Sequence, residues 1–136
     1  MEQLLEFATN HWMLTLSFLG LLVLLILHES GNNGVSSTQA TEMINKQDAV
    51  IVDIRDRNDF KKGSLTGAVN IPLTQLDQRM DELKAYQEKP VIVVCRMGSS
   101  ASLAVQKLHK QGYKQAVRLK GGIMQWQSDG LPLVAS

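Results

Sequence analysis

Val91-Ile92-Val93-Val94-Cys95-Arg96-Met97-Gly98-Ser99-Ser100-Ala101 joins a wholly apolar, β-branched run to a polar loop and then to a helical pattern. Four or five consecutive apolar residues suit a strand covered on both faces, as in a parallel sheet. Downstream, Ser99–Lys110 places Leu103, Ala104, Lys107 and Leu108 on one helical face, with Gly112 as the expected C-cap. Working outward, short β-branched runs recur at Ala49–Ile54, Ala68–Ile71 and Ala116–Leu119. Helical stretches lie between them. Ser37 or Thr38 is placed to cap Gln39–Asn45, and Thr74–Ala85 aligns Leu76, Met80 and Leu83. Strands alternating with helices predict an α/β fold built on a mostly parallel sheet.

In such folds ligands sit at the carboxyl ends of the strands, against helix N-termini. Cys95 stands there, ahead of the loop Arg96-Met97-Gly98-Ser99-Ser100. Inward-turned backbone N–H groups and the positive end of the helix dipole favour thiolate over thiol. Gly98 permits a positive φ and close approach of the loop to a ligand, and Arg96 adds a fixed positive charge. On this pattern alone two readings stand side by side: a nucleophile beside an anion-holding loop, and a buried structural cysteine at a strand end. His11 and His28 flank the N-terminal apolar segment and His109 lies late on the following helix, so a Cys–His pair has no second member.

Composition narrows the field. A chain of 136 residues allows one domain of ordinary size. The net charge of +1 hides a split, with −3 over residues 1–34 and +4 over residues 35–136. That excess, with few aromatics beside it, is too mild for a nucleic-acid surface. A single cysteine excludes an internal disulfide framework and any multi-Cys metal site. Asp77, Asp81 and Glu82 fall on differing helical faces and read as solvated surface, as do Lys107, Lys110 and Lys114. Met97 is expected as a pocket wall, and Trp126 as a core residue whose indole N–H needs a partner.

The N-terminal segment is of another kind. Trp12–Leu27 carries no charge, and Thr15 and Ser17 are its only polar side chains. Sixteen residues of helix reach about 24 Å, so a span needs the apolar Leu4, Leu5, Phe7 and Ala8 as well. One transmembrane helix over about residues 4–28 is expected. A cleaved signal peptide fits poorly, because the n-region is acidic and HESGNNG offers a poor cleavage site. A buried core helix fits poorly because Leu21–Leu27 is apolar all round and no similar helix follows. The expected division is therefore an anchor at 1–28, a flexible Gly/Asn/Ser linker at 29–36 and a globular domain at 37–136. The first base after the span, Lys46, and the free thiol both favour a cytoplasmic domain with the N-terminus outside.

Four motifs in order resemble the rhodanese homology domain, the sulfurtransferase module. They are Val52-Asp53-Ile54-Arg55 with Asp59-Phe60, Gly63–Pro72, Val93–Ser100, and Leu119-Lys120-Gly121-Gly122-Ile123-Met124-Gln125-Trp126. The resemblance covers about three-quarters of the chain and leaves the N-terminal segment outside. It implies a rhodanese-like sheet flanked by helices, in which Cys95 attacks the outer sulfur of thiosulfate or a similar donor. Cys95 would hold a persulfide cradled by the backbone N–H groups of Arg96, Met97, Gly98, Ser99 and Ser100. Asp53 and Arg55 match the family's strand-end acid and base, read as bracing the loop. No metal or organic cofactor is implied.

Two departures bear on substrate. Many members carry a second base where this chain has Ser100, which removes one charge for the thiosulfate dianion and leaves Arg96 to compensate. Ser64-Leu65-Thr66 replaces a usual His-Ile-Pro run. Phosphatase-like relatives need an arginine six residues after the cysteine, where this chain has Ala101. The leading expectation is a single-pass sulfurtransferase of the bacterial inner membrane with its rhodanese domain in the cytoplasm, passing sulfur to a thiophilic acceptor such as a thiol. The alternatives are a non-catalytic docking module at the membrane, and a sulfur relay to a membrane-protein partner.

Overall fold

The computed structural model describes residues 1–31 and 34–135. The chain divides into two compact units, Met1–Asn33 and Gly34–Ser136.

In the first unit, helix α1 (Glu2–Asn10) and helix α2 (Trp12–Gly31) meet at an angle of 84°. The single continuous helix expected over residues 4–28 is therefore corrected to a bent pair. No single described helix is long and apolar enough to cross a membrane, although the pair together has the required length and composition. The break falls at His11, whose φ of −121° and ψ of 38° leave the helical region while its N–H still donates to Phe7 O. The two helices also have different needs. α1 carries Glu2, Glu6 and Asn10 among its apolar residues, whereas Trp12–Leu27 is apolar on every side. A straight rod would draw those polar groups along the axis of the apolar segment. The Phe7 and His11 rings meet edge to face at 4.8 Å and steady the corner. Within α2, Ser17 Oγ donates to Met13 O at 2.8 Å and Thr15 Oγ1 to His11 O at 3.3 Å. These two hydroxyls are thus satisfied by backbone carbonyls four residues earlier in the chain.

The second unit is a four-stranded, all-parallel sheet in the order β2-β1-β3-β4. Its strands are β1 (Val50–Asp53), β2 (Val69–Asn70), β3 (Val91–Val94) and β4 (Ala116–Arg118). Helices α3 (Ser37–Gln47), α4 (Arg57–Lys62), α5 (Leu76–Arg79), α6 (Ser99–Lys110) and α7 (Gly122–Ser128) complete it. Strand alternation sorts the core into two layers. Val91, Val93 and Cys95 pack with Val52, Ile54, Leu76, Ala104 and Leu108. Ile92 and Val94 pack on the other face with Ile51, Ala40, Leu119, Ile123 and Trp126. Every residue of β3 is buried, as a strand covered on both faces requires.

Two local expectations shift. Ser36, rather than Ser37 or Thr38, caps α3 through a reciprocal capping box with Gln39. The helix expected over Thr74–Ala85 is broken into 3₁₀ turns at Leu73–Gln75 and Met80–Tyr86 around the short α5. Its apolar residues still face inward, because the three-residue step from Met80 to Leu83 suits 3₁₀ geometry. Of the linker expected over 29–36, residues 32 and 33 lie outside the described residues. α2 runs to Gly31, Val35 bridges Leu119 beside the sheet, and Ser36 is a cap. Trp126 sits in the core as expected, and its indole N–H donates to Pro132 O at 3.0 Å.

Candidate active site

Strand β3 delivers Cys95 to the carboxyl edge of the sheet, where only 4% of the residue is exposed. The loop turns at Gly98, whose φ of 95° lies in the left-handed region, and α6 begins at Ser99. Gly98 N–H donates to Cys95 Sγ at 2.8 Å. The first amides of α6 have no intrahelical acceptor, so the loop and helix start present donors on the side of the sulfur. Arg96, Met97, Ser99 and Ser100 are exposed, while Gly98 is buried. Among the loop amides expected to cradle a sulfur, that of Gly98 donates to Sγ.

The loop is held from behind by α7. Ile123 N–H donates to Cys95 O at 2.9 Å and Met124 N–H to Arg96 O at 3.1 Å. These bonds turn the carbonyls of Cys95 and Arg96 toward α7. Gly122 makes the approach feasible: its φ is +58°, and a methyl group there would meet Cys95 O and lie 2.7 Å from Arg96 C and O. Gly122→Ala is expected to destabilise the domain by at least about 2 kcal/mol through left-handed strain and overpacking. Thermal unfolding of the full chain checks this, and a midpoint within about 2 °C of wild type contradicts it.

Asp53 and Arg55 lie on the neighbouring strand end, where Asp53 pairs in register with Val94. Asp53 is fully buried and its carboxylate is saturated. Oδ1 accepts from Arg55 N–H (2.9 Å) and Nε (3.1 Å), and Oδ2 from Arg55 Nη2 (2.8 Å) and Ser64 Oγ (2.6 Å). Arg55 Nη2 also donates to Gly63 O at 2.6 Å. Asn70 Nδ2 bonds the carbonyls of both Asp53 and Arg55 at 3.0 Å. The pair thus clamps the β1 end to the segment containing Ser64, which explains a serine at that position. Arg55 has a further face. With Arg96, Asp59, Ile123, Met124 and Gln127 it lines a cavity of about 410 Å³.

One residue at this edge was not singled out from the sequence. Arg118 ends β4 opposite Val93, and its guanidinium packs on the loop: a methyl on Gly98 would lie 3.3 Å from Arg118 Nη1. A second cation therefore stands beside the cysteine loop, although Ser100 supplies none. Its signal was its place at the carboxyl end of a strand. His109, by contrast, bonds Ala116 O at 2.8 Å through Nε2, near the far end of α6 and about 15 Å along the helix from Ser99. Lys107, read as open surface, pairs with Asp77 at 2.9 Å.

A parallel α/β sheet with a cysteine loop between strand and helix defines the class of domain. The chain belongs to the rhodanese-like domain family, whose pattern matches residues 36–129. It is similar to the uncharacterized protein YibN of Escherichia coli (strain K12), with 34% identity over 98% of this chain and 98% of YibN. It is also similar to the thiosulfate sulfurtransferase GlpE of Coxiella burnetii (strain RSA 331), 33% identical over 69% of this chain and 86% of GlpE. Among solved structures, a rhodanese-related protein from Thermoplasma volcanium matches with a TM-score of 0.69 and 26% identity. It covers 76% of this chain and 99% of that one.

Proposed function

We propose that this chain is a sulfurtransferase that carries sulfane sulfur as a persulfide on Cys95. The observation that carries the reading is the 2.8 Å bond from Gly98 N–H to Sγ at the start of α6. A persulfide anion needs preorganised donors as an oxyanion does. With thiosulfate as donor, the Cys95 thiolate attacks the outer sulfur. The thiosulfate S–S bond breaks, its electron pair leaves with sulfite, and Cys95–S–S⁻ remains. Arg96 and Arg118 supply positive charge for the dianion. In the second half-reaction a thiol takes the outer sulfur and Cys95 thiolate is restored.

The first test is direct. Full chain incubated with thiosulfate is expected to gain about 32 Da at Cys95, the mass of one persulfide sulfur. No adduct with thiosulfate or with polysulfide sinks the reading.

The same proposal sets the domain on the cytoplasmic face of a bacterial inner membrane, held by residues 4–28. The support is chemical: Trp12–Leu27 is apolar on every side, and α1 has the mixed apolar and polar character of a helix lying in the headgroup layer. In this arrangement α2 enters the bilayer and the bend at His11 lays α1 along its surface. Full chain should co-float with liposomes through an alkaline wash, and deletion of residues 1–31 should release it. Equal retention of both proteins, or of neither, rejects the anchor.

A docking module is the second reading, favoured by Met97 and Met124, which are 62% and 52% exposed on the rim of the cysteine loop. Exposed methionines suit adaptable protein contacts.

A further inference from the structure

A second cavity, of about 420 Å³, opens where the chain leaves β1 and β2, and Arg57, Phe60, Lys61, Asn70, Gln75 and Arg79 are among its lining residues. It lies on the same sheet edge as Cys95 but is separate from the cavity that Arg96 lines. Arg57, Phe60 and Lys61 are spaced i, i+3 and i+4 on α4, so one face of a short helix presents two cations with an aromatic ring between. Like charges at that spacing repel. Neither cation has a side-chain hydrogen bond or ion pair among the described residues. Arg79 is differently placed: Glu82 takes its Nε at 2.6 Å and Nη2 at 3.0 Å, and Gln75 Oε1 takes Nη1 at 3.2 Å. It forms a fixed, partly neutralised wall, and the unbalanced charge is that of Arg57 and Lys61. Asp59 lines the other cavity.

The register sets how far Asn70, on the cavity wall, stands from Val94, the residue before Cys95. Asn70 pairs with Asp53, and Asp53 with Val94. Two interstrand steps amount to about 10 Å. A thiosulfate ion seated among these cations would not reach the sulfur. A thiol joined to its carboxylate through several rotatable bonds, as in a γ-glutamyl peptide, is needed to bridge that gap. The cavity's volume also falls within the range of small-molecule sites.

We propose that the Arg57/Phe60/Lys61 face is an acceptor subsite that holds the carboxylates of a small peptidic thiol while its sulfur reaches Cys95. This deepens the sulfurtransferase reading and rests on it. The step balances without an oxidant: Cys95–S–S⁻ and R–SH give Cys95–S⁻ and R–S–SH. The acceptor sulfur bonds the outer sulfur, the Cys95 S–S bond breaks toward Sγ, and the thiol proton ends on the product.

The test uses full chain in nonionic detergent, with Cys95 persulfide as sulfur source. Glutathione, a tripeptide thiol with two carboxylates, is compared with its diethyl ester, equal in length and lacking both. Wild type should show a KM about tenfold lower for glutathione than for the ester, and Arg57→Gln/Lys61→Gln should bring the two together. Equal KM values in wild type overturn the subsite, as does a difference that survives the double substitution. Sulfur passing only to the thiol of an acidic protein, with no preference between the tripeptides, also overturns it. S-methylglutathione, which keeps the carboxylates and has no free thiol, separates this inference from the one beneath it. Calorimetry should show saturable binding that weakens about tenfold in the double variant. Binding without any Cys95 persulfide refutes the sulfurtransferase reading and leaves the subsite standing. Persulfide formation without binding refutes the subsite alone.

Discussion

Cys95→Ser is expected to lower sulfite release from thiosulfate at least about a thousandfold and to abolish the persulfide adduct. Serine is slightly smaller than cysteine and can still accept the Gly98 N–H. Its hydroxyl, however, is not ionised at neutral pH and cannot store sulfane sulfur. The fold should be unaffected, because the sulfur is held at a strand end by one backbone donor and lies among apolar neighbours. Turnover within about tenfold of wild type would sink the persulfide mechanism. The variant also discriminates between the two readings of the domain. If Cys95→Ser preserves the cellular phenotype that deletion of residues 1–31 abolishes, the chain works by docking rather than by sulfur transfer.

Asp53→Ala should be the most destabilising of the single substitutions considered. It removes a fully buried carboxylate on which four donors converge, Arg55 N, Nε and Nη2 and Ser64 Oγ, and leaves Nη2 only its bond to Gly63 O. Arg55 is 12% exposed at its side chain and can recover only part of its solvation. Breaking a buried pair by deleting one partner costs about 3–5 kcal/mol. For a domain of about a hundred residues this is a fall in Tm of roughly 12–40 °C. Asp53→Asn, which keeps the shape and one acceptor oxygen, should lose less. A loss below about 1 kcal/mol for Asp53→Ala would show that the clamp is not holding the strand end. Since Asp53 pairs with Val94, residual activity should fall with the fold and not independently of it.

Some of this was plain in the residues. The four β-branched runs became the four strands, because continuous apolar runs have few alternatives to a doubly covered sheet. Ser99–Lys110 formed as one helix because its apolar spacing persists through three turns. The cysteine loop was legible from its position between those two elements. Short elements were not. α4 and α7 have six and seven residues, too few to display a helical period, yet they furnish the Arg57/Lys61 face and the support for the loop. The corner at His11 was hidden for a related reason. Hydropathy averages over a segment and does not register one residue leaving helical φ and ψ.

Residue order alone determined the class of fold, the cysteine loop and the apolar character of the N-terminal segment. Each is carried by neighbours in the chain, through burial pattern or through a glycine at a turn. The tertiary structure decided which distant residues meet. It set Arg118 against Gly98, Gly122 behind Cys95 and Arg96, and Ser64 beneath Asp53. It also separated the cations, leaving Arg79 paired with Glu82, and Arg57 and Lys61 unpaired on one face of α4 among the described residues. Such groupings depend on strand order and register, which act between segments far apart in sequence and leave no local period to read.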